Sequence, residues 1–533
     1  MKTLHTLIIF LFFITSSSYR SHAQDLACFF YDVDSKTNLA DILLTNDGNM
    51  LITGFTTGAS ESYFIGKYSL NGVEIWSHRK QKNVESGNYR AGSLLQTVGG
   101  YYNTHFINKK GIMARYSIEG ELMWERTFLM GSNSHIPRML LEASAVSSND
   151  RILAAGQSGD GWGNECSVAY VSIDTNGNNE KVHWIGQQKE LNVVGIIPNQ
   201  TGGSWLFCNS GNKFQSSSTG GDTYPQVYSI NQYDEAVDLT KIILPFDAKA
   251  TSVIMATDHH FVITGYGTDS AFVLKIDTLL NVKWIKTMAL KTFSPTISMQ
   301  TVKELPNGNY AICATRAITF ETAAPILMEL DGAGNLVWEK EMELHVLIAT
   351  QFSRIINLPS GNLLWCGETY DQNTFNQSVI FMESDTEGNT FCGTIEGTLT
   401  LHNSEVKLLK NDTPTAVLYN YYFGTNKDVE VYNPLLQPGL CPGGEIFTGI
   451  ATGLQQEPEV AVYPNPATTE IYIQCTGMQQ CTISVYNVLG GLVMERLNPE
   501  DVPLEVSGLE NGIYFFRMES AGRNFEGKFH VQH

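Results

Sequence analysis

Short apolar runs alternate with polar turns rich in Asn, Asp and Gly along most of this chain, and the alternation itself repeats over a long period. One phrase recurs: a polar turn, an apolar strand often closing on Gly, a variable stretch, a second apolar strand, another turn, then Trp. The first clear copy opens with Asn46-Asp47-Gly48-Asn49 and Met50-Leu51-Ile52-Thr53-Gly54, and continues through Tyr63 to Tyr68, Leu70-Asn71-Gly72 and Ile75-Trp76. Further copies close on Trp124, Trp184, Trp284 and Trp338. Between Trp184 and Trp284 lies a degenerate copy, Ser204-Trp205-Leu206-Phe207-Cys208 with Val227 to Ile230, where Leu239 falls near the expected Trp. A last copy, Asn362 to Gly367 with Val379 to Met382, carries Cys392 in the Trp position.

The Trp spacings of 48, 60, 100 and 54 residues give a unit of about 50 residues, the 100 spanning two units. Each unit starts with one more strand, such as Asp41-Ile42-Leu43-Leu44, so a unit holds four strands joined by turns suited to tight hairpins. One four-stranded sheet cannot bury both of its apolar faces, whereas radially packed neighbours can. The pattern therefore predicts an all-β fold: a β-propeller of about seven four-stranded blades over residues 24–392, followed by a small C-terminal β-sandwich. The repeat Trp residues are expected between blades, each worth about 3–5 kcal/mol if fully buried. The strand Phe29-Phe30-Tyr31 is expected to close the last blade, bringing Cys28 near Cys392. The repeats resemble those of large secreted bacterial propellers. That resemblance implies the fold and says little about function, since propellers host binding modules, scaffolds and enzymes.

After Cys392 the repeat stops. Residues 393–457 read as a β-prone connector, or a last partial blade, ending in a polar linker. Then come Val460-Ala461-Val462-Tyr463-Pro464-Asn465-Pro466, the strand Cys481 to Tyr486 with Asn487, Gly490 and Gly491, then Leu509, Gly512 and Tyr514, and a final strand with Lys528. This order over 458–533 resembles the type A sorting domain of the type IX secretion system of Bacteroidetes. The YPNP opening, the YN turn ahead of Gly490, the strand through Leu509, Gly512 and Tyr514, and Lys528 carry the resemblance. It implies periplasmic transit, recognition by the outer-membrane secretion machinery, and removal by a surface sortase. An ordinary small β-sandwich used for adhesion is the alternative.

The amino terminus agrees with export. After Met1-Lys2 comes an apolar run from Leu7 to Ile14, a Ser-rich stretch, and Ser21-His22-Ala23, with cleavage expected between Ala23 and Gln24, so that 1–23 is a signal peptide. Lipidation at Cys28 is the competing reading. No later segment has the roughly 18 apolar residues of a transmembrane helix, and the protein is expected to be secreted or held at the cell surface. A net charge of −20 argues against nucleic acid or an anionic membrane as partner.

The nine cysteines are odd in number for an oxidising compartment. Cys475 and Cys481 flank a short polar turn and are spaced to bridge a hairpin. Cys392 has two candidate partners, Cys441 and Cys28. Cys166, Cys208, Cys313 and Cys366 lie one per repeat, and the last three sit in apolar runs expected to bury them as thiols. No Cys/His cluster suggests zinc, and no catalytic, cofactor or metal motif is present.

Asp174, Asp277 and Asp331 recur at one repeat point and read as turn-forming carboxylates, with calcium ligation as the alternative. Asp258-His259-His260 reads as a solvated turn, with metal binding as the alternative. Glu61, Asp160, Asp269 and Glu368 lie in or beside loops after inner strands, where a pair would serve a glycosidase. Trp162, Tyr224 and Tyr266 would suit stacking on sugar rings, or packing between blades. The leading expectation is a non-catalytic propeller binding a glycan or protein; a hydrolytic propeller and a structural surface component are the alternatives.

Overall fold

The computed structural model describes residues 28–438 and 460–532, except 33–35, 58–61, 71, 82–88, 108–109, 131–137, 160–165, 189–190, 211–222, 268–269, 290–296, 318–322, 343–350, 371–376, 391–393, 398, 413–415, 418–420, 425–434, 464–466, 476–479, 488–490, 500–502, 510 and 521–522. The chain forms two compact units, residues 1–450 and 451–533.

In the first unit the alternating runs pair in chain order into antiparallel sheets. Blade 1 comprises Thr37–Leu44, Met50–Thr56, Ser62–Tyr68 and Glu74–Gln81. Blade 2 runs from Tyr89–Thr97 to Leu122–Met130, blade 3 from Arg138–Val146 to Lys181–Gln188, and blade 4 from Leu191–Pro198 to Ala236–Ile243. Blade 5 runs from Ala248–Met255 to Val282–Ala289 and blade 6 from Ile297–Glu304 to Leu336–Met342. Blade 7 takes Gln351–Asn357, Leu363–Tyr370 and Gln377–Ser384, and its fourth strand is Cys28–Asp32 from the other end of the unit. The expected closure by Phe29 to Tyr31 is therefore what the sheet shows, with Phe29 opposite Phe381 and Tyr31 opposite Val379.

Apolar clusters fill every seam between neighbouring blades, including the one joining blades 7 and 1 through Leu39, Ile52, Phe64, Leu364 and Phe381. The sheets thus close into a ring, each burying both faces against its neighbours. Each innermost strand carries a bulge, between Leu39 and Asp41 in blade 1 and between Phe352 and Arg354 in blade 7, for example. Such bulges bend a strand and sharpen its twist. They also explain why so many second strands close on Gly. A Cβ on Gly54, Gly156, Gly265 or Gly367 would run into the bulged strand's backbone carbonyl at Asn38, Leu140, Lys249 or Gln351.

The stretch after residue 393 is neither a partial blade nor a free connector. It runs backwards around the ring, adding an outer strand to one blade after another. Thr394–Glu396 pairs with blade 6, His402–Asn403 with blade 5, Lys407–Asp412 with blade 4, Ala416–Val417 with blade 3, and Tyr421–Gly424 with blade 2. Leu435–Pro438 then pairs with Cys28–Asp32 on blade 7. Along the belt, Leu399 and Leu401 pack on the seam of blades 5 and 6, and Val406 and Leu408 on that of blades 4 and 5. The belt covers edge strands that would otherwise offer open N–H and C=O groups.

The second unit is a two-sheet sandwich. Val460–Tyr463, Glu470–Cys475 and Leu504–Glu505 form one sheet; Leu492–Pro499, Gln480–Tyr486, Gly512–Ser520 and Arg523–Val531, in that order, form the other. Ile471, Ile483, Val485, Leu504, Tyr514, Phe516, Phe529 and Val531 fill the space between them. Cys475 ends a strand of one sheet and Cys481 lies near the start of a strand of the other, so the two strands do not pair as the expected hairpin. The side chains of both cysteines lie outside the described set, as do Cys392 and Cys441 entirely. Cys208, Cys313 and Cys366 are buried free thiols, as expected, and burial pushes each thiol pKa up.

Candidate functional site

The propeller has two unlike rims. One holds the turns after the first and third strands of each blade, and it is built to a fixed pattern. Asp277 accepts from the Leu279 and Asn281 N–H groups through Oδ1 (3.0 and 2.8 Å) and from the Asn281 amide through Oδ2 (3.1 Å). Asp174, Asp331 and Asp385 repeat the arrangement. Burial raises the Asp277 pKa, but the Asn281 hydrogen bonds and Lys283 together outweigh it and hold the group down to about 2. These carboxylates are occupied by N–H donors, which is the turn-forming role. In the Asp258 turn, His259 takes the left-handed position (φ 61°), while Asp258 binds Lys275 at 2.6 Å and His260 at 3.0 Å.

The repeat Trp residues lock this rim. Trp76, Trp124, Trp284 and Trp338 each lie against the turn glycine of the next blade: Gly120, Gly177, Gly334 and Gly388. These glycines have φ between 76° and 93°, and a Cβ on any of them would come within 2.5–2.9 Å of the indole. The indole N–H of Trp76, Trp124 and Trp284 donates to a carbonyl of the same turn at 3.1–3.3 Å.

Trp184 departs from the set. The four knobs sit opposite Lys67, Arg115, Lys275 and Glu329, whereas Trp184 sits opposite Ala169, and Lys181 holds the knob register opposite Ser172. Lys181 follows Asp174 by the same interval that separates Trp284 from Asp277, and Trp184 lies three residues past that position on its strand, where it packs on the seam of blades 2 and 3. In its place Lys181 reaches Asp234, the left-handed residue of the next turn (φ 70°), at 3.1 Å. In the degenerate blade 4, Asp238 holds the register, and Lys410 of the belt donates to the Leu279 carbonyl of the neighbouring turn (2.8 Å).

The inner strands are stapled across blades by polar side chains. Asp41 accepts from the Leu94 N–H (2.8 Å) and from Arg354 Nε (2.8 Å), and Asn209 exchanges two 2.8 Å bonds with the Ala250 backbone. Glu368 does the same work, accepting from the Leu39 N–H (2.9 Å) and Gln377 Nε2 (2.6 Å), and burial raises its pKa. Of the four carboxylates considered for glycoside hydrolysis, Glu368 is thus a staple between blades 7 and 1. Glu61, Asp160 and Asp269 lie outside the described residues, as do Trp162, Cys28's flanking residues 24–27, Ala23 and Pro464 to Pro466. Among the described residues no group of His, Cys, Asp and Glu is arranged to hold a metal ion.

Sequence reasoning missed one cluster, because its members come from five strands of two blades. Between blades 1 and 2, Tyr63 and Tyr116 share a 2.6 Å hydrogen bond, and the fully buried His105 stacks on Tyr63 with 4.0 Å between ring centres. Glu125 Oε2 lies 3.9 Å from His105 Nε2, and Glu125 binds Lys80 at 3.2 Å. Burial, with the Lys80 charge adding to it, holds His105 well below the ordinary histidine range. The native state therefore keeps His105 neutral where the unfolded chain takes a proton. Stability is expected to fall as pH drops below about 6.5, by up to about 1.4 kcal/mol per pH unit from this group. Thermal melts at pH 7 and pH 5 should show a smaller pH loss in His105→Gln than in the parent; an equal loss would refute the assignment.

The opposite rim holds the connections after the second and fourth strands. They vary from two residues (108–109) to thirteen (211–223). Tyr224 and Tyr266 stand at this rim, Tyr224 at the start of the third strand of blade 4 and Tyr266 near the end of the second strand of blade 5. The Ala248 N–H donates to the Thr223 carbonyl (3.0 Å), and Lys249 pairs with Tyr266. Tyr266 is exposed and Tyr224 half-buried.

In the sandwich, Tyr463 pairs with Tyr472, and Asn487 closes its turn by bonds to Gly491 at 2.9 Å in both directions. Leu509 packs on the core, Gly512 begins its strand, and Tyr514 is buried and stacked on Phe529. Tyr486 ends its strand half-buried, Lys528 is exposed, and Gly490 lies outside the described residues.

A closed ring of seven blades and a separate two-sheet module define a propeller protein with a C-terminal β-sandwich. Residues 461–532 match the family described as the secretion system C-terminal sorting domain. The tail marks the chain for export through the type IX machinery, ending in secretion or attachment at the cell surface. Among the described residues no helix is long and apolar enough to cross a membrane. No curated protein matches the chain. Among solved structures it is similar to Drosophila plexin A, in complex with semaphorin 1b, at 12% identity over 67% of this chain and 86% of that one, TM-score 0.39. It is also similar to a quinoprotein alcohol dehydrogenase-like protein of Bacteroides thetaiotaomicron (12% identity, 59% and 75% covered, TM-score 0.34). A third is the polysaccharide lyase Uly1 (9%, 65% and 89%, TM-score 0.37). Likenesses this distant carry no argument about function; the propeller assignment stands on the chain's own sheets.

Proposed function

We propose that this protein is a type IX cargo, delivered with a signal peptide cleaved between Ala23 and Gln24, whose propeller binds a glycan or protein outside the cell. The observation that supports binding is the contrast between the rims. One is a repeated scaffold of knobs and turns, while the other carries connections that differ from blade to blade, and recognition concentrates in variable loops on rigid scaffolds. Tyr224 and Tyr266 put aromatic surface on that second rim, suited to a sugar face or an apolar side chain.

Export is tested by deleting residues 458–533 in a type IX-competent host: the deleted chain should stay inside the cell envelope, and its appearance at the surface or in the medium would refute the reading. Binding is tested with a glycan and protein screen on the exported chain. Tyr266→Ala should weaken any ligand found by about tenfold or more. Turnover of a polysaccharide without stable binding would replace this reading with an enzymatic one.

A further inference from the structure

The outward face of the sorting domain's four-stranded sheet is unusual in composition. Inward side chains of this sheet, Ile483, Val485, Tyr514, Phe516, Phe529 and Val531, form the core. An antiparallel sheet packed on one side ordinarily shows polar residues on the other. Here one row crosses all four strands: Leu492 opposite Tyr486, Tyr486 opposite Phe515, and Phe515 opposite Lys528. Leu492 is 53% and Phe515 46% exposed, and Ile513, two residues along from Phe515, is 48% exposed. A bulge between Val485 and Tyr486 turns Leu492 outward, where strict alternation after Met494 would also leave Val493 beside it at the surface.

The residues that carry the resemblance to sorting domains divide between two tasks. Asn487 closes a turn, and Tyr514 and Leu509 serve the core. Tyr486 and Lys528 instead belong to the outward row. Its charge also runs against its setting. Residues 461–532 hold eight acidic and four basic side chains, yet this row ends on Lys528 with exposed His530 opposite Ile513.

We propose that this face is the surface by which the outer-membrane export machinery holds the tail, and that the partner offers an apolar strip flanked by a carboxylate that meets Lys528. The proposal rests on reading the tail as an export signal. An apolar centre with a charged edge is the usual anatomy of a specific protein contact, and a cation at one end sets the orientation in which an acidic group is accepted.

The test uses the full-length chain in a type IX-competent host. Ile513→Thr with Phe515→Thr removes the apolar row while keeping strand-forming residues at exposed positions; Lys528→Glu reverses the charge. Each should lower the surface and medium fraction by about tenfold or more, with the tail as resistant to proteolysis as in the parent. Ile513→Val with Phe515→Tyr, and Lys528→Arg, should export normally. A photoreactive phenylalanine analogue at position 515 should cross-link to an outer-membrane component of the export machinery. If the threonine variant exports normally while deletion of 458–533 abolishes export, this face is wrong and the reading of the tail stands. If the deleted chain is exported, that reading itself fails. A cross-link from position 515 to another part of the same chain would also overturn the proposal, and it decides the matter if a variant tail becomes protease-sensitive.

Discussion

A chain ending at residue 392 is expected to aggregate and to melt at least about 5 °C below one ending at residue 445. The reason is the belt. Its strands occupy the outer edges of blades 2 to 6, and Leu435–Pro438 covers Cys28–Asp32, the strand that closes the ring. Removing it opens those edges to pairing with other molecules. It also withdraws Leu399, Leu401, Val406 and Leu408 from two seams, a loss on the order of 5 kcal/mol. The closing strand, now held on one side only, would fray and loosen the seam of blades 7 and 1. Size-exclusion chromatography and thermal melts of the two chains, both beginning at Gln24, give the answer. Equal melting temperatures and a monomeric short chain would show that the ring stands without its belt.

The ring was legible in the sequence because its signals are local and repeated. Turn residues with left-handed backbone, period-two apolar runs and the closing Trp each recur within one unit, so seven copies reinforce one reading. The belt was not legible for the opposite reason. Its strands have two to six residues, no common period, and partners from 52 to more than 400 residues away. Pairing at that range leaves no pattern within the segment itself. The candidate site divides in the same way. The turn role of Asp174, Asp277 and Asp331 followed from their repeat position, whereas the stapling role of Glu368 depends on Leu39, across the ring closure. Trp184 shows the limit of counting: it falls within the repeat spacing, but it lies three residues past the knob register, which Lys181 holds, a difference visible only once strands are paired.

Trp365→Ala is expected to cost about 3–5 kcal/mol, more than removal of any repeat knob. Sequence spacing singles out the closing tryptophans, and Trp365 follows no such spacing. Yet among the described residues it is the largest fully buried side chain, set in the seam of blades 6 and 7 with Phe352, Met342 and Ile380, and its indole N–H donates to Ser384 Oγ at 2.8 Å. Replacing it leaves a cavity the size of an indole and a hydroxyl short of a partner. Trp76, Trp124, Trp284 and Trp338 are only half-buried, because one ring face lies against a turn and the opposite edge meets water. Loss of one should cost about half as much, since less apolar area returns to solvent and the opened space is filled by water. The knobs matter for register more than for stability: they fix each blade's tilt against the next, and where one is missing an ion pair or a belt lysine takes over. Chemical unfolding of the full-length Trp365→Ala and Trp284→Ala variants separates the two roles. A larger loss in Trp284→Ala would mean that the knob rim, not the seams, carries the ring.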